Sequence, residues 1–183
     1  MSSNKLLIIN GAAILVCAVF CFSVINNDWR TYSLLSLLLF LPFLDSTWSI
    51  PKTPPYKFKY IFWLISLGIS TSILIVNTSY INTAIAILFL TALPEEWFFR
   101  TYFMIQLKKT IQNAWQSNII TSVFFASLHM PTQGVLALSI IIPSLFFGWV
   151  YQQTNDIVLI CLLHTLSNII FLIYITQYIH EYI

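Results

Sequence analysis

The sequence predicts an all-α fold, a polytopic transmembrane helical bundle of about seven spans. Hydrophobic residues make up 58% of the 183 positions and charged residues only 8%, whereas soluble domains carry roughly 25% charged residues. The apolar residues fall into long runs separated by short polar or proline-rich turns. This length accommodates about seven helices of roughly 20 residues each and leaves little for a soluble domain.

Span one is expected from about Leu6 to Ile25, ended by the polar turn Asn26–Arg30. Its apolar run is longer than the ~7–15 residues of a cleaved signal, and no small-x-small cleavage pattern follows, so it reads as retained. Span two runs from about Tyr32 to Ile50, with Asp45 near its end. The stretch Pro51–Lys59 holds three prolines and three lysines; prolines remove donors and restrict the residues before them, so this is a basic loop. Span three covers about Tyr60 to Val76, and Asn77-Thr78-Ser79 turns the chain.

Span four, about Ile81 to Leu107, carries Pro94, which either starts a helix or kinks one. Span five, about Ala114 to Met130, is expected to stop at Pro131-Thr132-Gln133-Gly134. Span six is about Val135 to Tyr151, with Pro143 inside, and span seven about Ile157 to Ile175. The chain thus divides into N-terminal helices at 1–80, a catalytic core at 81–175 and a short interfacial tail at 176–183 containing His180.

With a cytoplasmic N-terminus, Lys5, Lys52, Lys57, Lys59, Lys108 and Lys109 fall on one side and Arg30 alone on the other, the bias of the positive-inside rule. The scattered basic residues and a net charge of +2 form no nucleic-acid surface. Cys17, Cys21 and Cys161 lie within apolar runs without zinc or redox spacing and read as small core residues.

The chemistry-bearing residues concentrate in three spans. Ionisable groups within a membrane are costly and mark functional sites, and Pro94 is followed by Glu95 and Glu96, then Arg100. Successive helical residues point about 100° apart, so the two acids serve different roles. Glu96 and Arg100, four apart, share a face and pair; Glu95 is left to face a cavity as a general base. His129 ends span five with Phe125 one turn below it, placed to pack under the imidazole. His164 and Asn168, also four apart, put two polar groups on one side of an apolar span. A base, a partner for water and donors for an oxyanion are what adding water to a carbonyl requires. No Gly-x-Ser-x-Gly elbow and no His-Glu-x-x-His occurs.

Glu95-Glu96-x-x-x-Arg100, Phe125-x-x-x-His129 and His164-x-x-x-Asn168, in that order, resemble the three motifs of the CPBP family, the CAAX prenyl proteases and bacteriocin-processing enzymes also called the Abi family. The resemblance covers Glu95 to Asn168. It implies a glutamate-dependent intramembrane endopeptidase in which Glu95 and His129 activate water, His164 and Asn168 hold the oxyanion, and Glu96, Arg100 and Phe125 support the site. It implies a membrane-associated peptide or protein substrate, such as a prenylated CAAX-like terminus, a bacteriocin precursor or a C-terminal sorting tail, in a bacterial or archaeal cytoplasmic membrane. Metal-free hydrolysis is the expected chemistry, and the alternative is zinc held by Glu95, His129 and His164.

Two other readings use the same residues. A small transporter or proton-coupled channel would employ the intramembrane acids and histidines as a relay, but the matching broken helices of two repeated halves are not found. A noncatalytic membrane-binding partner would have no need of all the motif residues.

Overall fold

A computed structural model of the chain describes residues 10–11, 13–14, 27–50, 52, 59–76 and 78–175, and every regular element among them is helical. Helix α1 (Asn27–Phe40) runs into a 3-10 turn at Leu41–Leu44. Helix α2 is Lys59–Val76, and α3 is the long helical run Thr78–Ile111. Helix α4 (Ala114–Gln133) leads through a 3-10 stretch at Gly134–Ile140 to α5 (Ile141–Thr154). Helix α6 (Ile157–Ile170) ends in a π turn at Phe171–Ile175.

The N-terminal third departs most from the expected spans. Of the first span, only residues 10, 11, 13 and 14 are described, all helical; Cys17, Cys21, most of the Pro51–Lys59 loop and the 176–183 tail lie outside the described residues. Residues 27–30, part of the polar stretch expected to close span one, are instead helical within α1. Span two does not reach Ile50 as a helix. The Asp45 carboxylate accepts the backbone N–H of Thr47 at 2.9 Å, a local turn that competes with helix continuation.

Ala114–Thr154 and Ile157–Tyr174 are long and apolar enough to cross a membrane, and a third span results if Tyr60–Ile73 and Thr78–Ile111, bent by 114°, are counted together. The first of these folds back on itself. Gly134, at φ 59° and ψ −139°, stops α4 in a conformation suited to glycine. Across the resulting hairpin, Asn118 Nδ2 donates to the Leu145 carbonyl at 2.9 Å. A Cβ on Gly148 would lie 1.8 Å from Asn118 Oδ1, so the two helices meet where one has no side chain. Pro131 does not end α4 but sits within its last turn, while Pro143 lies in the first turn of α5, where its missing N–H forfeits no intrahelical bond.

Pro94 lies inside a continuous helix flanked by π turns at Leu88–Ala92 and Trp97–Met104. The Leu93 N–H reaches back five residues to Leu88, a wide-turn adjustment of the kind found where a proline interrupts the regular ladder. Seven consecutive residues, Phe98 to Met104, are buried, so this part of α3 is enclosed on all sides. It separates two apolar clusters, one around Phe98, Phe99, Phe103 and Phe125, the other around Met104, Phe147, Tyr151 and Leu159.

Short caps fix the remaining turns. Gln112 and Asn155 adopt left-handed conformations at the ends of α3 and α5. The Asn113 side chain accepts from Gln116 N–H at 3.0 Å to start α4, and Asp156 accepts from Leu159 N–H at 3.2 Å to start α6. Asp156 also receives the Trp63 indole N–H at 3.0 Å, tying α2 to the start of α6. Ile61, Leu64, Ile85, Phe89, Ile142 and Phe146 are exposed, so the described helices carry apolar side chains on their exterior.

Candidate active site

Helix α3 brings the two acids to the middle of the bundle on different faces. Glu96 and Arg100 are fully buried, and Arg100 Nε donates to Glu96 Oε2 at 2.8 Å. Arg100 Nη2 donates to Ser144 Oγ on α5 at 2.9 Å, and the guanidinium carbon lies 5.5 Å from the centroid of the Phe125 ring, a cation–π distance. The second oxygen of Glu96 is also engaged: His164 Nδ1, on α6, lies 2.9 Å from Glu96 Oε1. An ionised carboxylate only accepts, so this nitrogen carries the hydrogen.

The His164 ring is held between two phenyl groups. Phe147 stacks on it with centroids 5.6 Å apart and planes inclined by 23°, while Phe125 meets it at 5.9 Å and 75°. With Nδ1 bound to Glu96, the ring directs Nε2 toward Glu95, whose Oε2 lies 3.7 Å away, longer than a hydrogen bond. Glu95 Oε2 is buried and has no hydrogen-bond partner among the described residues. Buried carboxylate oxygens are ordinarily satisfied, so this atom is the unengaged acceptor of the cluster.

His129 approaches from α4. Its Nδ1 lies 3.0 Å from the Phe125 carbonyl, and because a carbonyl only accepts, that nitrogen is the donor and Nε2 of the neutral ring is an acceptor. The ring packs against Phe125 at 5.0 Å. Asn168 stands one turn beyond His164, half-buried, with no side-chain hydrogen bond among the described residues. All seven residues singled out by spacing therefore lie on α3, α4 and α6. Direct contacts link Glu95, Glu96, Arg100, Phe125, His129 and His164, and Asn168 is placed next to them by its helix alone.

Residues 77–170 match a protein-family model described as Rce1-like, type II CAAX prenyl endopeptidase. That segment is slightly more than half of the chain. The chain belongs to the Rce1-like type II CAAX prenyl endopeptidase family. Curated proteins and solved structures yielded no match. Membership of an Rce1-like family makes the chain a relative of hydrolases that cut peptide or protein substrates, and the matched residues enclose every side chain of the cluster.

Two further contributors to the cluster carry no signal in residue spacing. Ser144 and Phe147 belong to α5, which contributes none of the three motifs, yet they touch Arg100 and His164. The bond between His164 and Glu96, 68 positions apart, was equally invisible, since only local pairs are readable from spacing. Among the described residues, no three His, Cys, Asp or Glu side chains come together as a metal-holding group, Glu95, His129 and His164 included.

Proposed function

We propose that this chain is an intramembrane endopeptidase that cuts a membrane-associated peptide or protein, with water activated by Glu95 and His129 and the oxyanion received by His164 and Asn168. One observation carries the reading: Glu95 Oε2 is buried and unengaged 3.7 Å from His164 Nε2, while the neighbouring Glu96 has both oxygens committed. One acid is spent on structure and the other is free for chemistry.

The tautomers argue the rest. Glu95 and the Nε2 of neutral His129 are both acceptors, suited to the two hydrogens of one water. The water oxygen bonds to the scissile carbonyl carbon as its proton passes to Glu95, and the carbonyl oxygen becomes the oxyanion. His164 can donate from Nε2 while Nδ1 is bound to Glu96 only as the imidazolium, which carries hydrogen on both nitrogens; Glu96 sits against it as counter-charge. Asn168 adds an amide donor from the same face of α6. The proton then passes from Glu95 to the amide nitrogen as the C–N bond breaks. The two acids, Arg100 and protonated His164 together make a site without net charge, which low-dielectric surroundings disfavour less than an unpaired charge.

Substrates of this class are C-terminal sorting tails or CAAX-like termini. Lys108 and Lys109 lie just before the start of α4 and His129 near its far end, so the positive-inside rule puts His129 toward the outer surface, which favours the sorting tails. The test is cleavage of candidate precursor peptides by protein reconstituted in liposomes, with the cut ends read by mass spectrometry. Wild type is expected to cut at one bond and Glu95→Gln to be at least ~10²-fold slower, the scale of a lost general base. Undiminished cleavage by Glu95→Gln would remove Glu95 from the chemistry.

A further inference from the structure

We infer that α5 is the positioning helix of this site, with Phe147 setting the orientation of His164 and Ser144 holding Arg100 against Glu96. The inference rests on the hydrolytic reading above for its effect on turnover, but its geometry is independent of it. Ser144 and Phe147 are three residues apart and so share one face of α5, and both are buried. Between them they touch the two side chains that clasp Glu96 from opposite sides: Ser144 Oγ meets Arg100 Nη2 at 2.9 Å, and Phe147 lies nearly parallel to the His164 ring at 5.6 Å.

A single hydrogen bond at Nδ1 leaves an imidazole free to swing about that contact, and the swing would carry Nε2 away from Glu95. The Phe147 face restricts it. The direction of Nε2 is thus set by three contacts, namely Glu96 at one nitrogen, Phe147 on one face and Phe125 at the edge. Helix α5 is itself held in register by the Asn118 bond to the Leu145 carbonyl and by the close approach at Gly148. Both devices lie within one turn of Ser144 and Phe147, so the register of α5 on α4 is transmitted directly to the His164 ring and to Arg100.

The chain contains three histidines, so selective labelling of histidine rings in the purified full-length protein gives an NMR spectrum simple enough to follow His164 itself. Phe147→Leu is expected to shift the His164 ring signals, which lose the ring-current field of the stacked phenyl, and to leave those of His129 in place; Phe147→Tyr should retain them. In cleavage assays Phe147→Leu should lower kcat about 10-fold with KM within about twofold, as for a misplaced catalytic group. In a His164→Ala background the same substitution should have almost no further effect, because a residue acting through His164 has nothing left to orient. Ser144→Ala should lower kcat and Ser144→Thr should restore it. Unmoved His164 signals in Phe147→Leu, or an equal loss with and without His164, would overturn the assignment. Failure of the hydrolytic reading would be seen separately, as cleavage that persists in Glu95→Gln.

Discussion

Glu96→Gln isolates the structural acid with a nearly isosteric change. Glu96 accepts from Arg100 Nε at 2.8 Å through one oxygen and from His164 Nδ1 at 2.9 Å through the other. A glutamine has one acceptor oxygen and one donor NH2, so it can accept from only one of these partners, and with its oxygen on Arg100 its NH2 meets His164 only if Nδ1 gives up its hydrogen. It also removes the negative charge beside a fully buried guanidinium, which keeps only neutral acceptors such as Ser144 Oγ among the described residues. Breaking a buried pair by removing one member costs about 3–5 kcal/mol, and for a chain of this size that corresponds to a fall in melting temperature on the order of 10 °C. The assay is thermal unfolding of purified protein in one detergent, with Glu96→Gln, Arg100→Met and the double variant measured together. The double variant should recover at least half of the loss, because removing both charges leaves neither unpaired. A Glu96→Gln protein as stable as wild type, or a double variant as unstable as the two single losses added, would refute the pairing logic on which the division between Glu95 and Glu96 depends.

His129→Ala and His164→Ala should each slow cleavage at least ~10²-fold while the protein still assembles in the membrane, the scale of losing a base partner or an oxyanion donor; normal turnover in either variant removes that ring from the mechanism. Gly148→Ala places a methyl group 1.8 Å from Asn118 Oδ1 and should destabilise the protein by about 1–3 kcal/mol, a loss that largely disappears when unfolding is measured in an Asn118→Ala background. Asp156→Ala removes the cap on Leu159 N–H and the acceptor for Trp63 and should lower stability by about 1–2 kcal/mol, checked by the same unfolding assay. Incubation with a strong chelator should leave cleavage unchanged; one zinc per chain by elemental analysis, lost together with turnover, would reverse the metal-free proposal.

Residue spacing made local relations legible and long-range ones not. Glu96 with Arg100 and Phe125 with His129 are one helical turn apart, so their contacts could be read before any fold was known. The all-helical class followed from composition, and α2, α4, α5 and α6 lie close to the apolar runs that announced them. Polar residues and prolines act by position: residues 27–30 are helical where a turn was expected, and Pro131 is carried within the last turn of α4, whereas Pro94, read as starting or kinking a helix, lies in a continuous one beside π turns. Ser144 and Phe147 gave no warning, since a serine and a phenylalanine in an apolar run look like packing until the fold brings them to Arg100 and His164. The hydrogen bond from His164 to Glu96 likewise depends on α3 and α6 lying side by side, a tertiary fact with no local signature.

The central claim is that Glu95 delivers a water molecule to the scissile carbonyl. A single turnover in water enriched in oxygen-18, using enzyme equilibrated beforehand in ordinary water, tests it directly by mass spectrometry of the new C-terminal carboxyl group. If Glu95 acts as a base, the first product carries one heavy oxygen, and Glu95→Gln forms that product at least ~10²-fold more slowly. A first product containing only light oxygen would mean that a side-chain oxygen of the protein attacked the peptide, and the account of Glu95 as a base would be wrong.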